Sequence, residues 1–386
     1  AGGRDRHFTF DNNEDTTFQI QNITLYNGKS NDSYGGSVTI SGHASPRFKK
    51  VIFRENVVYV TNSSYAGGAV FIASGQSQVT FTDCQFIKNR AYSDKNSSNG
   101  YVQGGAVFFD ASDNTNSYHY FIRCTFDGNT VEAYQQGSGG AVTANRNSAF
   151  INSLFINNTA KGGVGNTSDH SAYGGAIETA PHGYNNNNWE GGEIQIINCT
   201  IANNISQGKN NTNSGGGGGI YYSGGNTQSI KMFNNIIWGN KNNITDTEEN
   251  SNVDRHSVSI SNDIKRDSDY NNIQYITSYN WRGDYSLAVD PFFTDSSKND
   301  FSLSDQSLII GAGASSFEGL SAPTNDIIGN TRPNPAGSNP DLGAYENSLS
   351  KSPYPKQVKN VTAVGGSGQV TLNWDALADA DSVYKV

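Results

Sequence analysis

Two short motifs alternate through the first two-thirds of the chain, and recurrence at roughly 30 to 45 residues is the mark of a stacked repeat. One is a glycine pair followed by a small and a β-branched residue: Gly35-Gly36-Ser37-Val38, Gly67-Gly68-Ala69-Val70, Gly104-Gly105-Ala106-Val107, Gly139-Gly140-Ala141-Val142, Gly174-Gly175-Ala176-Ile177 and the looser Gly218-Gly219-Ile220. The other spaces an apolar residue, a Cys or apolar residue, a second apolar residue and an Asn, as in Phe81, Cys84, Phe86, Asn89 and Phe121, Cys124, Phe126, Asn129. Further copies run through Phe48 to Asn56, Phe150 to Asn158, Ile196 to Asn204 and Met232 to Asn240. A weaker first copy has Ile20, Ile23, Leu25 and Gly28, and a degenerate last one Tyr270, Ile273 and Tyr275.

The copies differ in length only between motifs, as in Tyr92 to Val102 and Asn185 to Gly192. A coil tolerates this because insertions leave as surface loops. Cys84 and Phe86 are two apart and share one face of a strand, while Asp83 and Gln85 take the wet face. Helical periodicity and blade signatures of the WD type are absent. The expected fold is therefore all-β: a right-handed parallel β-helix of about eight coils.

Equivalent residues of successive coils then lie about 4.8 Å apart and form columns along the stack. Asn56, Asn89, Asn129, Asn158, Asn204 and Asn240 form a structural ladder at a strand-ending turn, where each carboxamide can satisfy its neighbour. Cys84, Cys124 and Cys199 share an inward column with Ser153 and Val51, and read as small buried hydrophobes. The spacing needed for a zinc site is not present. The glycine pairs make a tight corner and allow coils to approach closely, and no helix follows them to cradle a phosphate.

Composition narrows the partners. Asn, Ser, Thr and 43 Gly dominate, which suits many tight turns. The net charge of −9 leaves no basic stripe for phosphates, so nucleic acid is not an expected partner. No apolar run approaches the roughly 18 residues of a membrane-spanning helix. The first residues carry no signal-peptide pattern, as expected of a mature or trimmed product. The Asn-x-Ser/Thr sequons, beginning at Asn22, Asn31 and Asn62, are no more frequent than so Asn- and Ser-rich a chain produces by chance.

The glycine and Asn repeats resemble those of polymorphic outer-membrane autotransporter passengers. Asn234-Asn235-Ile236-Ile237-Trp238-Gly239-Asn240, Val289-Asp290-Pro291-Phe292-Phe293, Asn299-Asp300-Phe301-Ser302-Leu303 and Asn339-Pro340-Asp341-Leu342-Gly343-Ala344-Tyr345-Glu346 follow in order. This series is similar to the choice-of-anchor Q family of β-helix proteins. The resemblance implies an exported protein with a C-terminal sorting signal and assigns no reaction. The chain departs from it by the insertion Asn242 to Asp254.

The expected organisation is a β-helix over residues 1–347 with a capping region at about 285–347, a linker at 348–357, and a new domain from 358. Val358 to Ala363 and Gly368 to Trp374 resemble the first two strands of a fibronectin type III domain. Two strands and part of a third cannot bury a sandwich core, so the polypeptide is expected to continue beyond Val386.

Candidate chemistry is sparse. A hydrolase needs paired carboxylates and a lyase a base with a cation. Glu178, an expected outward residue, with His182 and Glu190 beside an Asn-rich loop, is the nearest approach. Phe71 and Phe108, with Tyr221 further along the same outward column, make a candidate ligand-binding face for a sugar ring or protein, unless a loop such as Ser93 to Tyr101 folds over it. Asp11, Asn13 and Asp15, and the loop Asp246 to Asp254, offer oxygens for calcium, although solvated turns fit them as well. The expected function is a non-catalytic extracellular adhesin or scaffold contacting glycans or surface proteins. A polysaccharide lyase or hydrolase, or a self-associating filament subunit, are the alternatives.

Overall fold

The structure is a computed structural model. It describes residues 5–31, 34–61, 66–73, 77–97, 100–110, 118–165, 170–179, 184–185, 188–189, 192–209, 216–222, 229–243, 258–260, 265–274, 283–353 and 361–375. Within these, the chain winds through four parallel sheets, A to D, whose strands stack in the order of the coils. Sheets A, B and C have eight strands each and D has seven, so eight coils are stacked. Coil 4 runs Val107–Phe109 in A, His119–Ile122 in B, Thr125–Asp127 in C and Thr130–Glu132 in D. This is a parallel β-helix. Seven intervals of about 4.8 Å give a stack roughly 34 Å long.

The repeat columns meet in register. Phe48, Phe81, Phe121 and Phe150 are rung neighbours in sheet B, and Phe53, Phe86, Phe126 and Phe155 in sheet C. The sheet C rings stack at 4.5–4.7 Å within 3° of parallel. All eight are buried in one continuous core.

The second motif is not one strand. It bends between sheets B and C at a residue with positive φ: Lys50, Asp83, Arg123, Asn152, Asn198 or Asn234. That left-handed bend lets Cys84 turn inward again after Phe81, since a single residue in this region reverses which side the next one faces. Cys84, Cys124 and Cys199 are buried free thiols whose Sγ donate to the carbonyls of Phe48, Phe81 and Phe150. Burial pushes the Cys199 thiol up to about 12.

A second left-handed bend precedes each ladder Asn. Asn89 is typical. Its backbone N–H and Nδ2 both donate to Asn129 Oδ1, at 3.0 and 2.9 Å, and Nδ2 also donates to the Phe53 carbonyl of the previous coil. The pattern repeats from Asn56 to Asn240, and ends where the Gly28 N–H donates to Asn56 Oδ1. Asn235 and Asn271 start a shorter ladder in the cysteine column. That fixes the last copy as Ser268, Asn271 and Ile273, because Met232 pairs with Ser268. The expected alignment on Tyr270 was two residues out, and Tyr275 lies outside the described residues.

The glycine pairs make the corner into sheet A. Gly104 has φ +66°, and a Cβ on Gly105 would sit 2.0 Å from the Gly140 carbonyl oxygen of the next coil. No side chain fits there.

Residues after coil 8 turn back along the outside. Leu287 and Val289 bond to Asn271, Asn272 and Ile273 on the open edge of sheet C. The chain then packs Phe301, Leu303, Ile309, Ile310 and Leu342 against Leu154, Ile156, Ala202 and Ile236 on the outer face of that sheet. The expected cap is thus mainly a lateral brace. Three left-handed Asn hold it: Asn152 Oδ1 accepts from Arg332, Asn198 Nδ2 donates to the Asp341 carbonyl, and Asn234 Nδ2 donates to the Ala314 carbonyl. Arg332 Nε meets Glu346 at 2.7 Å with both side chains buried. The last pattern, Asp341 to Glu346, is the brace's core.

At the other end the core is open among the described residues. Phe8 and Ile23 occupy inward columns yet are 37% and 39% exposed. Beyond the brace, Thr362–Gly366 and Gln369–Asn373 pair as an antiparallel hairpin. Val370 and Leu372 on one face of it are exposed, as is the neighbouring Trp374.

Candidate functional site

Sheet A is where long connections gather, on both its margins. Its outward column holds Thr39, Phe71, Phe108, Thr143, Glu178 and Tyr221 in register. Alternation along each strand puts these residues outside the core. They are nonetheless largely covered.

Part of the cover is the residue just before a glycine corner, at Tyr34, Ser138 and Tyr173. In coils 4 to 6 the chain before the corner forms a small parallel sheet, E, from Val102–Gln103, Gly137–Ser138 and Ala172–Tyr173. The Ser138 carbonyl accepts a hydrogen bond from Thr143 Oγ1 at 3.2 Å, and Tyr173 packs on Tyr221 with centroids 4.4 Å apart. Below it a second apolar cluster of Val58, Val60, Ala66, Ala91, Val102, Val131 and Ala133 fills the space beside sheet D.

The aromatic pair therefore does not offer a ligand face. Phe71 and Phe108 stack at 5.7 Å, but they are 2% and 0% exposed, and Tyr34 packs edge-on against Phe71 at 4.8 Å. The register was right and the wetness was not, because alternation tells inside from outside a coil but not whether a loop returns over the outside. Tyr221 is half-buried against Tyr173.

Glu178 is likewise buried, not exposed. Loss of water pushes its carboxyl up to about 7, opposed by the Thr143 hydroxyl, and Oε2 has no hydrogen-bond partner. Neither a second carboxylate nor a cation of the described residues acts on it. A pair for hydrolysis, or a base with its neutralising cation, is thus not assembled there among the described residues. His182 and Glu190 lie outside the described residues.

A polar cluster that the motif reading missed sits on the outer face of sheet B. Tyr118 Oη donates to Glu193 Oε1 at 2.8 Å, reaching from coil 4 to coil 6. Gln195 Nε2 donates to the same oxygen at 2.7 Å, while Ser229 Oγ and Lys231 Nζ meet Oε2 at 3.2 and 3.1 Å. These partners hold the Glu193 carboxyl below its ordinary range against the opposing effect of burial, and the Tyr118 phenol is raised by burial and by Glu193. Glu193 and Lys231 lie outside both motifs; only the parallel register of sheet B brings them together.

In the first acidic loop, Asp15 accepts from the Thr17 N–H and hydroxyl at 2.8 and 2.5 Å, which lowers its pKa and closes a turn. Asn13 has φ +58°, and Asp11 is exposed. Asp246 to Asp254 lie outside the described residues. Among the described residues no group of three or more His, Cys, Asp and Glu gathers where it could hold a metal ion, and no helix is long and apolar enough to cross a membrane.

Parallel sheets and an internal Asn ladder place the chain among β-helical solenoids. Comparison with protein-family models, curated proteins and solved structures yields no match.

Proposed function

We propose that this chain is a non-catalytic stretch of an exported cell-surface protein: a right-handed β-helical scaffold whose connecting loops contact glycans or other surface proteins. The observation that carries the reading is the roofing of sheet A. Its outward column is buried at Phe71, Phe108, Thr143 and Glu178, with Tyr34, Ser138 and Tyr173 from before the glycine corners against it, and its acidic side chain has no charged partner among the described residues. On this reading the C-terminal hairpin begins a fibronectin type III-like spacer, and the ordered motifs of the brace belong to a choice-of-anchor Q protein.

One observation favours the enzyme alternative: a carboxyl held near neutrality is a usable general acid. Incubation with a panel of acidic and neutral polysaccharides, followed by reducing-end and unsaturated-product assays, separates the two. No turnover together with retention on a glycan or surface-protein array is the expected result. Turnover abolished by Glu178→Gln would overturn the proposal.

A further inference from the structure

The two ends of the stack are built differently. At coil 1 the edge strands Phe8–Phe10, Gln19–Gln21 and Thr24–Tyr26 hold no charged residue and no proline, the usual guards of an exposed edge. Coil 8 presents Lys265–Asp269, with four charges in five residues, and its sheet C edge is bonded by Leu287 and Val289. Its inward columns are polar at Ser268 and Asn271.

Coil 1 is also finished as a first coil. In coils 2 and 3 the N–H that opens the sheet D strand donates to the ladder position of the previous coil: Val57 to the Gly28 carbonyl, Arg90 to that of Asn56. The Lys29 N–H donates instead to the Asp5 carbonyl at 3.3 Å, and Gly28 has no carboxamide to carry the ladder further. Another coil in register would need the place that Asp5 fills. What stays uncovered among the described residues is the apolar end of the core, at Phe8, Ile23 and Phe18, which lies edge-on against Phe10 at 5.4 Å.

The edge strand of sheet A is matched to itself. The Phe8 N–H donates to Ser37 and the Phe10 carbonyl accepts from Ser41, both in coil 2. Successive residues of a strand aim their backbone groups to opposite sides, so Thr9 aims its N–H and C=O at the open end. Turned antiparallel about a two-fold axis at Thr9, two such strands exchange both bonds between their Thr9 residues and set Phe8 of one copy opposite Phe10 of the other. The same rotation exchanges the two margins of the sheet. One carries Arg6 and Lys29 against the single Asp5, and the other carries Asp11, Glu14 and Asp15. Each acidic margin then meets a basic one.

We infer that the coil 1 end is an interface for a second copy of this chain, joined head to head by antiparallel pairing of Phe8–Phe10 about Thr9. The contact is isologous and closes at two copies, unlike an end-to-end filament. Head-to-tail growth would set the apolar end on the charged edge of coil 8.

Analytical ultracentrifugation of the 386-residue chain over a range of concentrations tests this, with hydrogen exchange at the Thr9 amide as the local readout. The chain should sediment as a monomer–dimer equilibrium, and Thr9 exchange should slow as the dimer fills. Thr9→Pro removes the donor at the axis without breaking a bond to coil 2, and should weaken the dimer at least about tenfold with an unchanged circular dichroism spectrum. Thr9→Val keeps the N–H and should keep the dimer. Lys29→Glu should weaken it, and adding Asp11→Lys should recover part of the loss. A monomer at every concentration, open-ended growth, or a dimer indifferent to Thr9→Pro or to Lys29→Glu would each overturn the inference.

Discussion

Replacing Asn129 by alanine should cost about 3–5 kcal/mol, the largest single share of it from one stranded amide. Asn129 Oδ1 accepts from the Asn89 N–H at 3.0 Å and from Asn89 Nδ2 at 2.9 Å. Its own Nδ2 donates to the Phe86 carbonyl at 2.8 Å and to Asn158 Oδ1 at 2.9 Å. Two of the broken contacts leave groups with another partner: Asn89 Nδ2 keeps the Phe53 carbonyl and Asn158 Oδ1 keeps the Asn129 N–H. The Asn89 N–H keeps none of its side-chain partners and is buried, a loss of roughly 1–3 kcal/mol; the other three contacts add about 0.5–1 kcal/mol each. Aspartate is the sharper test, because it is isosteric yet sets a second acceptor against the Phe86 and Asn158 oxygens. Asn129→Asp should therefore be at least as damaging as alanine at pH 7 and recover as the carboxyl protonates. Urea unfolding followed by circular dichroism gives the global cost, and exchange at the Asn89 amide reports whether loss is local, since repeat arrays need not unfold in one step. A cost below about 1 kcal/mol for both variants would show that the ladder follows from the stacking of coils and does not hold it.

His119 should make the fold acid-sensitive. It is fully buried, and desolvation, aided by Arg146, lowers its pKa from 6.5 to about 4. Its stabilisation is complete above 6.5 and is lost as pH falls towards 4, because only the unfolded chain takes up the proton; the total is about 3 kcal/mol. His119→Gln should flatten the unfolding free energy across that window, and an unchanged slope would refute the assignment. In the brace, Arg332→Met strands Glu346 and should cost about 3–5 kcal/mol, whereas adding Glu346→Leu should recover much of it. Limited proteolysis between residues 283 and 349 reads the release, and equal rates in the single and double variants would count against a buried pair.

How much was legible depended on whether a feature was written along the chain or across it. The ladder, the cysteine column and the glycine corners are local spacings, and each follows from the stacking geometry of a coil. The bends at Lys50 and Arg123 were hidden because neither residue announces a positive φ as glycine, asparagine or aspartate does. The fate of outward faces was not written locally at all. Phe71 and Phe108 are covered by chain that returns over them, and Glu193 finds Lys231 one rung away only through pairing of strands. The pattern Asp341 to Glu346 was recognisable as a motif, but its work, anchoring Arg332 against the coils, needed the fold.

The outer faces also constrain where a partner can touch. The outward column of sheet A is buried at Phe71, Phe108, Thr143 and Glu178, and the outer face of sheet C is occupied by the brace along coils 5 to 7. On sheet D, Arg90 pairs with Glu132 and lies 4.1 Å over the Tyr92 ring, which is tilted by 31° against Tyr59 at 5.0 Å. Tyr92 is contacted by both Tyr59 and the guanidinium, which makes it a poor platform for a sugar ring, since that needs an open aromatic face. On sheet B the polar groups around Glu193 satisfy one another. Along the described coils this leaves the proposed scaffold the connections at the margins of sheet A, whose lengths vary from coil to coil while the coils themselves do not. The stack fixes where those connections emerge.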